Sequence, residues 1–396
     1  MSSTMHEQEQ EQEHAQVLSA TPLDTKPPKP TYPSIPLTNP TSFAAMIALS
    51  KLSATKFVNA SPVIAGGARL LGGQARFQMV AYGGQVVAQA AWAAAQMVGS
   101  EWVMHSMTTN FTAPGVVGLP FTYHVRTATD GSSYSLRIVE ATQPQTMADL
   151  GVTAATVTCR ASVSFKRRRN NNTSPFDCQA PPSPAVQQTL ARLHAGASPH
   201  PAALVPVSFD SLQALLATRY AADEPLYTPS IAGVEAVLLP LRGHGERGEL
   251  PSPLCAHFPF AQRSPRRVTA TVYTAAGDAS EIVGANLGVC AHLNAVDGIT
   301  LWDAAALLGV PLSRVRAMCT LGMSVVVHNA WGLRIADGES KRWFVQEGWV
   351  ERYADERVVF CTRVWNDKGV CVLSSWQEGV LKVAEGVLKV AKGARL

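Results

Sequence analysis

An alanine-rich apolar run from residue 85 to 98 follows the pair Gly83-Gly84 and contains no proline or glycine. That pattern predicts a helix. The alanines at 88, 90, 91, 93, 94 and 95 leave little side-chain bulk, so the helix can lie close to a curved sheet or be buried on most sides. Strand-like segments follow at 102–112, 121–127, 133–140 and 153–165, and Thr129-Asp130-Gly131-Ser132 reads as a hairpin turn. The order then recurs. Residues 282–308 hold a mostly helical apolar stretch (287–296, then 302–308), followed by strand-like segments at 317–328, 343–354, 357–365 and 370–376. Here Asn366-Asp367-Lys368-Gly369 is the hairpin turn. One helix followed by a run of antiparallel strands, twice, is an α+β pattern with an internal duplication. A single α+β domain with an insertion is the alternative; the matching order in both blocks favours duplication.

Composition divides the chain further. Residues 1–40 are Glu/Gln-rich and then Pro-rich, which predicts a disordered tail. The segment 166–202 opens on Lys166-Arg167-Arg168-Arg169, continues through several prolines, and reads as a solvated linker. Folded blocks are therefore expected at 45–165 and 203–383, with a short tail at 384–396. Charged residues make up only 16% of the chain and the net charge is +4, with no basic face interleaved with aromatics, so no nucleic-acid partner is expected. The seven cysteines form no CxxC pair, which argues against a zinc site or a disulfide framework and for a reducing compartment. The N-terminus has no apolar stretch resembling a signal peptide, and no run of 18 apolar residues predicts a membrane span.

Particular residues narrow the reading. Tyr82-Gly83-Gly84-Gln85-Val86-Val87-Ala88-Gln89-Ala90, then Met104-His105-Ser106, Asn110-Phe111, Ala113-Pro114-Gly115 and Thr129 to Ser135, resemble the type II acyl-CoA thioesterases. Ser374-Ser375-Trp376-Gln377-Glu378-Gly379-Val380 resembles that family's closing motif. The likeness covers most of 75–165 and, more thinly, 285–381. It implies a double hotdog, two curved antiparallel sheets each wrapped around a central helix and paired into one long sheet. It also implies an acyl-CoA substrate, no metal or redox cofactor, and a homo-oligomer. The helix start, Gly83, Gly84 and Gln85, is the substrate-binding candidate.

Thioester hydrolysis needs an oriented water, a group to take its proton, and donors for the developing oxyanion. The resemblance assigns the water to a strand Thr and a Gln, here Thr320 and Gln377, together with a carboxylate near the second central helix. That carboxylate is expected before a Leu-Asn pair, and His292 stands there, in Ala291-His292-Leu293-Asn294. Gly322-Met323 likewise replaces an Asp-His pair after Thr320. Three readings stay open. His292 is itself the base, since imidazole titrates near neutral pH. Or Asp297 supplies the carboxylate, although i and i+5 lie on different faces of a helix. Or the site does not hydrolyse, and the chain is a hotdog protein that binds an acyl thioester or a pathway intermediate. His105 and His328 read as structural, satisfied by neighbouring backbone groups.

After Gln377 the seven residues 378–384 repeat without change at 385–391, so the first copy is expected to finish the last strand and the second to project. Ala394-Arg395-Leu396 is a close variant of the Ser-Lys-Leu peroxisomal address, which predicts peroxisomal localisation through an import receptor, with cytoplasm as the alternative.

Overall fold

A computed structural model describes residues 43–63, 80–144, 155–168, 178–195, 226–231, 234–238, 269–275, 282–308, 315–337 and 340–383. The expectations for 1–40 and 384–396, the import signal among them, lie outside these residues.

The first half contains α1 (Phe43–Ile47), β1 (Leu49–Lys51), β2 (Lys56–Asn59), α2 (Gly83–Ala95), β3 (Trp102–Phe111), β4 (Thr122–Asp130), β5 (Tyr134–Gln143) and β6 (Thr156–Arg167). After α3 (Pro184–His194) come β7 (Leu226–Ile231), β8 (Val234–Leu238), β9 (Thr269–Ala275), α4 (Ala285–Leu307) and β10 (Val315–Val327). The short ribbon β11 (Ala336–Asp337) and β12 (Ser340–Lys341) leads to β13 (Phe344–Ala354), β14 (Arg357–Trp365) and β15 (Cys371–Val383). Thirteen strands form one sheet, in the order β1-β2-β4-β5-β6-β3-β10-β15-β14-β13-β9-β8-β7. Its centre is the antiparallel pairing of Ser106–Asn110 on β3 with Gly322–Val326 on β10. Outward from that junction both sides follow one plan, β3-β6-β5-β4-β2 and β10-β15-β14-β13-β9. The duplicated hotdog is therefore present, and its two copies are fused edge to edge.

The alanines explain how α2 fits. Ala88, Ala90, Ala91, Ala93 and Ala94 are buried, and a helix with so few bulky side chains can be enclosed by sheet on one side and α4 on the other. Buried polar groups within this packing are mutually satisfied. The Gln85 and Gln89 amides both donate to the Met46 carbonyl, at 2.8 and 3.0 Å, and the Tyr123 hydroxyl donates to Gln89 Oε1 at 2.6 Å. These bonds hold α1 onto α2.

Two segments differ from the sequence-based expectation. The 166–202 stretch is not all linker. Ser183 caps α3, Pro184 occupies its first turn, where its missing N–H costs nothing, and Ala185, Val186 and Leu190 pack on Val345 and Trp365. Glu347 ties this contact together, accepting from the Ser183 N–H at 3.1 Å and the Trp365 indole at 2.9 Å. A proline that signalled a break in fact opens a helix. The second half also has three strands ahead of its helix, β7 to β9, that the hydrophobic pattern did not single out. Pro229 lies in β7, the outermost strand, where a proline removes least from the ladder. At the other end β15 continues to Val383, so residues 378–383 of the first copy of the seven-residue repeat are strand.

Candidate active site

Three side chains of the second half meet where β10, β15 and α4 converge. Gln377 points inward from β15, opposite Met323 on β10 and Phe360 on β14. Thr320 reaches the same side only because β10 is irregular. Ser324 stands opposite the half-exposed Trp376 and faces outward, so strict alternation would send Gly322 and Thr320 outward as well. The register shifts between Thr320 and Gly322, with Leu321 as the extra residue, and this bulge reverses the phase. Thr320 then pairs with Gly379 and faces inward. Its hydroxyl donates to Asp297 Oδ1 at 2.8 Å. The Gln377 amide donates to the same oxygen at 2.8 Å and to the Thr320 hydroxyl oxygen at 2.7 Å.

The first half completes the arrangement. Asp297 also accepts from the backbone N–H of Gly84, in the first turn of α2, so the carboxylate sits at the positive end of that helix. Only glycine permits this approach. A Cβ at 84 would lie 2.5 Å from the Tyr82 hydroxyl and 2.8 Å from the Asn294 carbonyl, and one at 83 would lie 3.1 Å from Asp297 Oδ2. The Tyr82 hydroxyl donates to the Asn294 carbonyl and locks the start of α2 against α4. Burial raises the Asp297 pKa above the usual carboxylate value, while Thr320, Gly84 and Gln377 each pull it back by donating to the charged form. A buried carboxylate so poised is a stronger base than an exposed one, and its donors fix its direction.

The expectation that His292 joins Thr320 and Gln377 is corrected. His292 is fully buried on another face of α4, with Nε2 bonded to the Leu333 carbonyl at 2.9 Å and Nδ1 to the Tyr273 hydroxyl at 2.6 Å. A carbonyl only accepts, so Nε2 carries the proton and Nδ1 accepts from tyrosine. Burial drives the imidazole pKa down to about 3, and the ring stays neutral. It ties α4 to β9 and to the 331–335 turn. Gln85 donates to the Met46 carbonyl and lies in the core. Gly83 and Gly84 are at the site. His105 and His328 bond to hydroxyls on the neighbouring strand, Ser164 at 2.8 Å and Ser374 at 2.9 Å, rather than to backbone.

Of the alternatives the sequence leaves open, it is Asp297 rather than His292 that meets Thr320 and Gln377. Residues 292 and 297 point apart on α4, and it is Asp297 that reaches Thr320. Asp297 is one of two acidic residues in α4, and a buried carboxylate needs a partner or a purpose. At the start of α4, the counterpart of the α2 start, the Asn286 side chain takes a different part. It accepts from the Met104 N–H at 2.8 Å and donates to the Trp102 carbonyl at 2.9 Å. Among the described residues no cluster of three His, Cys, Asp or Glu could hold a metal ion, and no helix is long and apolar enough to cross a membrane.

Comparison with known proteins bears on both halves. Residues 73–165 match the family model of the acyl-CoA thioesterase N-terminal domain. Acyl-CoA thioesterase 2 of Haemophilus influenzae is 36% identical over 94 residues, 24% of this chain and 31% of that protein. The chain thus matches under a third of that curated relative's length. An acyl-CoA thioesterase II of Mycobacterium marinum superposes with a TM-score of 0.52 at 14% identity, covering 86% of this chain and 97% of that one. A tesB protein of Mycobacterium avium subsp. paratuberculosis gives 0.51 at 17%, covering 85% and 97%. A hotdog-fold protein of unknown function from Alicyclobacillus acidocaldarius gives 0.50 at 14%, covering 86% and 98%. These structural likenesses show the fold.

Proposed function

We propose that this chain, a double hotdog whose residues 73–165 belong to the acyl-CoA thioesterase N-terminal domain family, hydrolyses an acyl-CoA thioester with Asp297 as general base. The observation that carries the reading is the convergence of Thr320 and Gln377 on one oxygen of Asp297 at the start of α2. A water bound beside this group gives a proton to Asp297 while its oxygen attacks the thioester carbonyl carbon. Gln377 Oε1, buried and without a partner among the described residues, is an acceptor for that water's second proton. Negative charge developing on the carbonyl oxygen is favoured near the first turn of α2. The tetrahedral intermediate collapses by breaking the carbon–sulfur bond, and the departing thiolate takes up the proton held by Asp297. The products are the free acid and CoA.

The test is thiol release from short, medium and long acyl-CoAs by the purified chain and by Asp297→Asn, Thr320→Val and Gln377→Ala. The expected result is release that falls by about 10²-fold or more in Asp297→Asn and persists in folded His292→Asn. Release untouched by Asp297→Asn, or no release with any acyl-CoA, overturns the reading and leaves a thioester-binding protein.

A further inference from the structure

The inner face of the second half carries buried polar side chains that water activation does not use. Gln346 on β13, Thr362 on β14 and Ser375 on β15 are 0%, 1% and 7% exposed. Both side-chain polar atoms of Gln346, the Thr362 hydroxyl and the Ser375 hydroxyl have no hydrogen-bond partner among the described residues. Buried groups of this kind destabilise a fold unless something pairs with them. Their placement is not scattered. Ser375 lies two residues before Gln377 on the same strand face, and Thr362 stands opposite Ser375. Thr362 also stands opposite Gly348, which has no side chain, and Gln346 is two residues before Gly348 on that face. The inward neighbours Phe360, Val364, Leu373 and Phe344 are all buried and apolar. A diagonal polar line therefore leaves the reacting centre, crosses β15, β14 and β13 between apolar walls, and faces α4, which packs on these strands.

We propose that this line is the acyl subsite, and that the acyl group it takes carries oxygen along its chain, as hydroxyl or keto groups. The proposal rests on the thioesterase reading. A plain alkyl chain would leave all three residues unpaired, and valine, leucine or alanine would serve it better. Two residues of strand span roughly 7 Å, so Ser375 and Thr362 meet a group several carbons from the thioester rather than beside it.

Binding tests the proposal independently of turnover. S-octyl-CoA, a thioether that cannot be hydrolysed, and its mid-chain hydroxy analogue would be titrated calorimetrically into the wild-type chain, Thr362→Val and Ser375→Ala. The expected result is about tenfold tighter binding of the hydroxy form by wild type, reduced to near parity in either variant. Each variant removes only an unpaired hydroxyl, so either one suffices if the other folds poorly. Equal affinity for the two ligands in wild type, or a preference unchanged in both variants, overturns the proposal. Thiol release by the same preparations separates the two readings. Discrimination without release would end the hydrolase reading and keep the subsite, and release without discrimination would do the reverse.

Discussion

Gly84, in the first turn of the first half's helix, donates its backbone N–H to the carboxylate of Asp297 on the second half's helix. The site is thus built across the duplication, and neither copy contains it alone. This gives the Gly-Gly pair a physical function. Without a Cβ at Gly84, backbone from α2 comes within bonding distance of the Asp297 carboxylate on α4.

Gly84→Ala should damage both fold and site. The added Cβ would meet the Tyr82 hydroxyl and the Asn294 carbonyl inside normal contact distance, and the carbonyl cannot swing away. A loss of about 1–3 kcal/mol is expected from such overpacking, with thiol release reduced more than stability explains. Denaturant unfolding and turnover on one preparation check this.

Asp297→Asn should separate activity from stability. Burial raises the folded-state pKa of Asp297 above its unfolded value, so as pH rises between the two the unfolded state releases its proton first. Stability therefore falls with rising pH across that window, and at neutral pH the ionised carboxylate is a net liability. The variant should lose activity yet melt no lower than wild type at pH 7. The same shift sets the acid limb of the wild-type pH–rate profile above the usual carboxylate range, and that limb should vanish if Asp297 is not the base.

His292 makes an opposite prediction at acid pH. Its folded pKa lies near 3 and its unfolded value near 6.5, so the unfolded state binds more protons between them. Stability is present above about pH 6.5 and is lost as pH falls toward 3, by up to about 5 kcal/mol. His292→Asn should flatten this dependence while lowering stability at pH 7 by about 2 kcal/mol through the lost bonds to Tyr273 and Leu333. Urea unfolding at several pH values measures both effects.

Deleting Leu321 should straighten β10 and leave Thr320 in place. Gly322 and Thr320 would then be consecutive opposite Glu378 and Gly379, so alternation keeps Thr320 on the inner face with Met323 and its bond to Asp297 survives. Thiol release well above that of Thr320→Val is expected, with circular dichroism near that of wild type. Release as low as in Thr320→Val would show that the bulge itself is needed to position Thr320.

Much of this architecture was legible in the chain. The alanine run, the two hairpin turns and the repeated order of helix and strands needed only local propensity and period, which act over a few residues. Thr320 and Gln377 were legible through the resemblance, and Gly83 and Gly84 through their place ahead of an apolar helix. Asp297 was legible only as one of three alternatives, because residues 292 and 297 lie on different faces of α4 and sequence alone holds no marker of which face meets β10. The same limit hid α3 and β7 to β9, whose reason for existing is the sheet surface they cover or extend. Nor could alternation reveal that Thr320 turns inward, since a bulge is defined by the strand it pairs with. The sequence by itself determined the two central helices, the strands that follow each of them, and that the unit is doubled. The pairing of β3 with β10 and the packing of α2 on α4 decided which residues meet, because those contacts join positions more than two hundred residues apart.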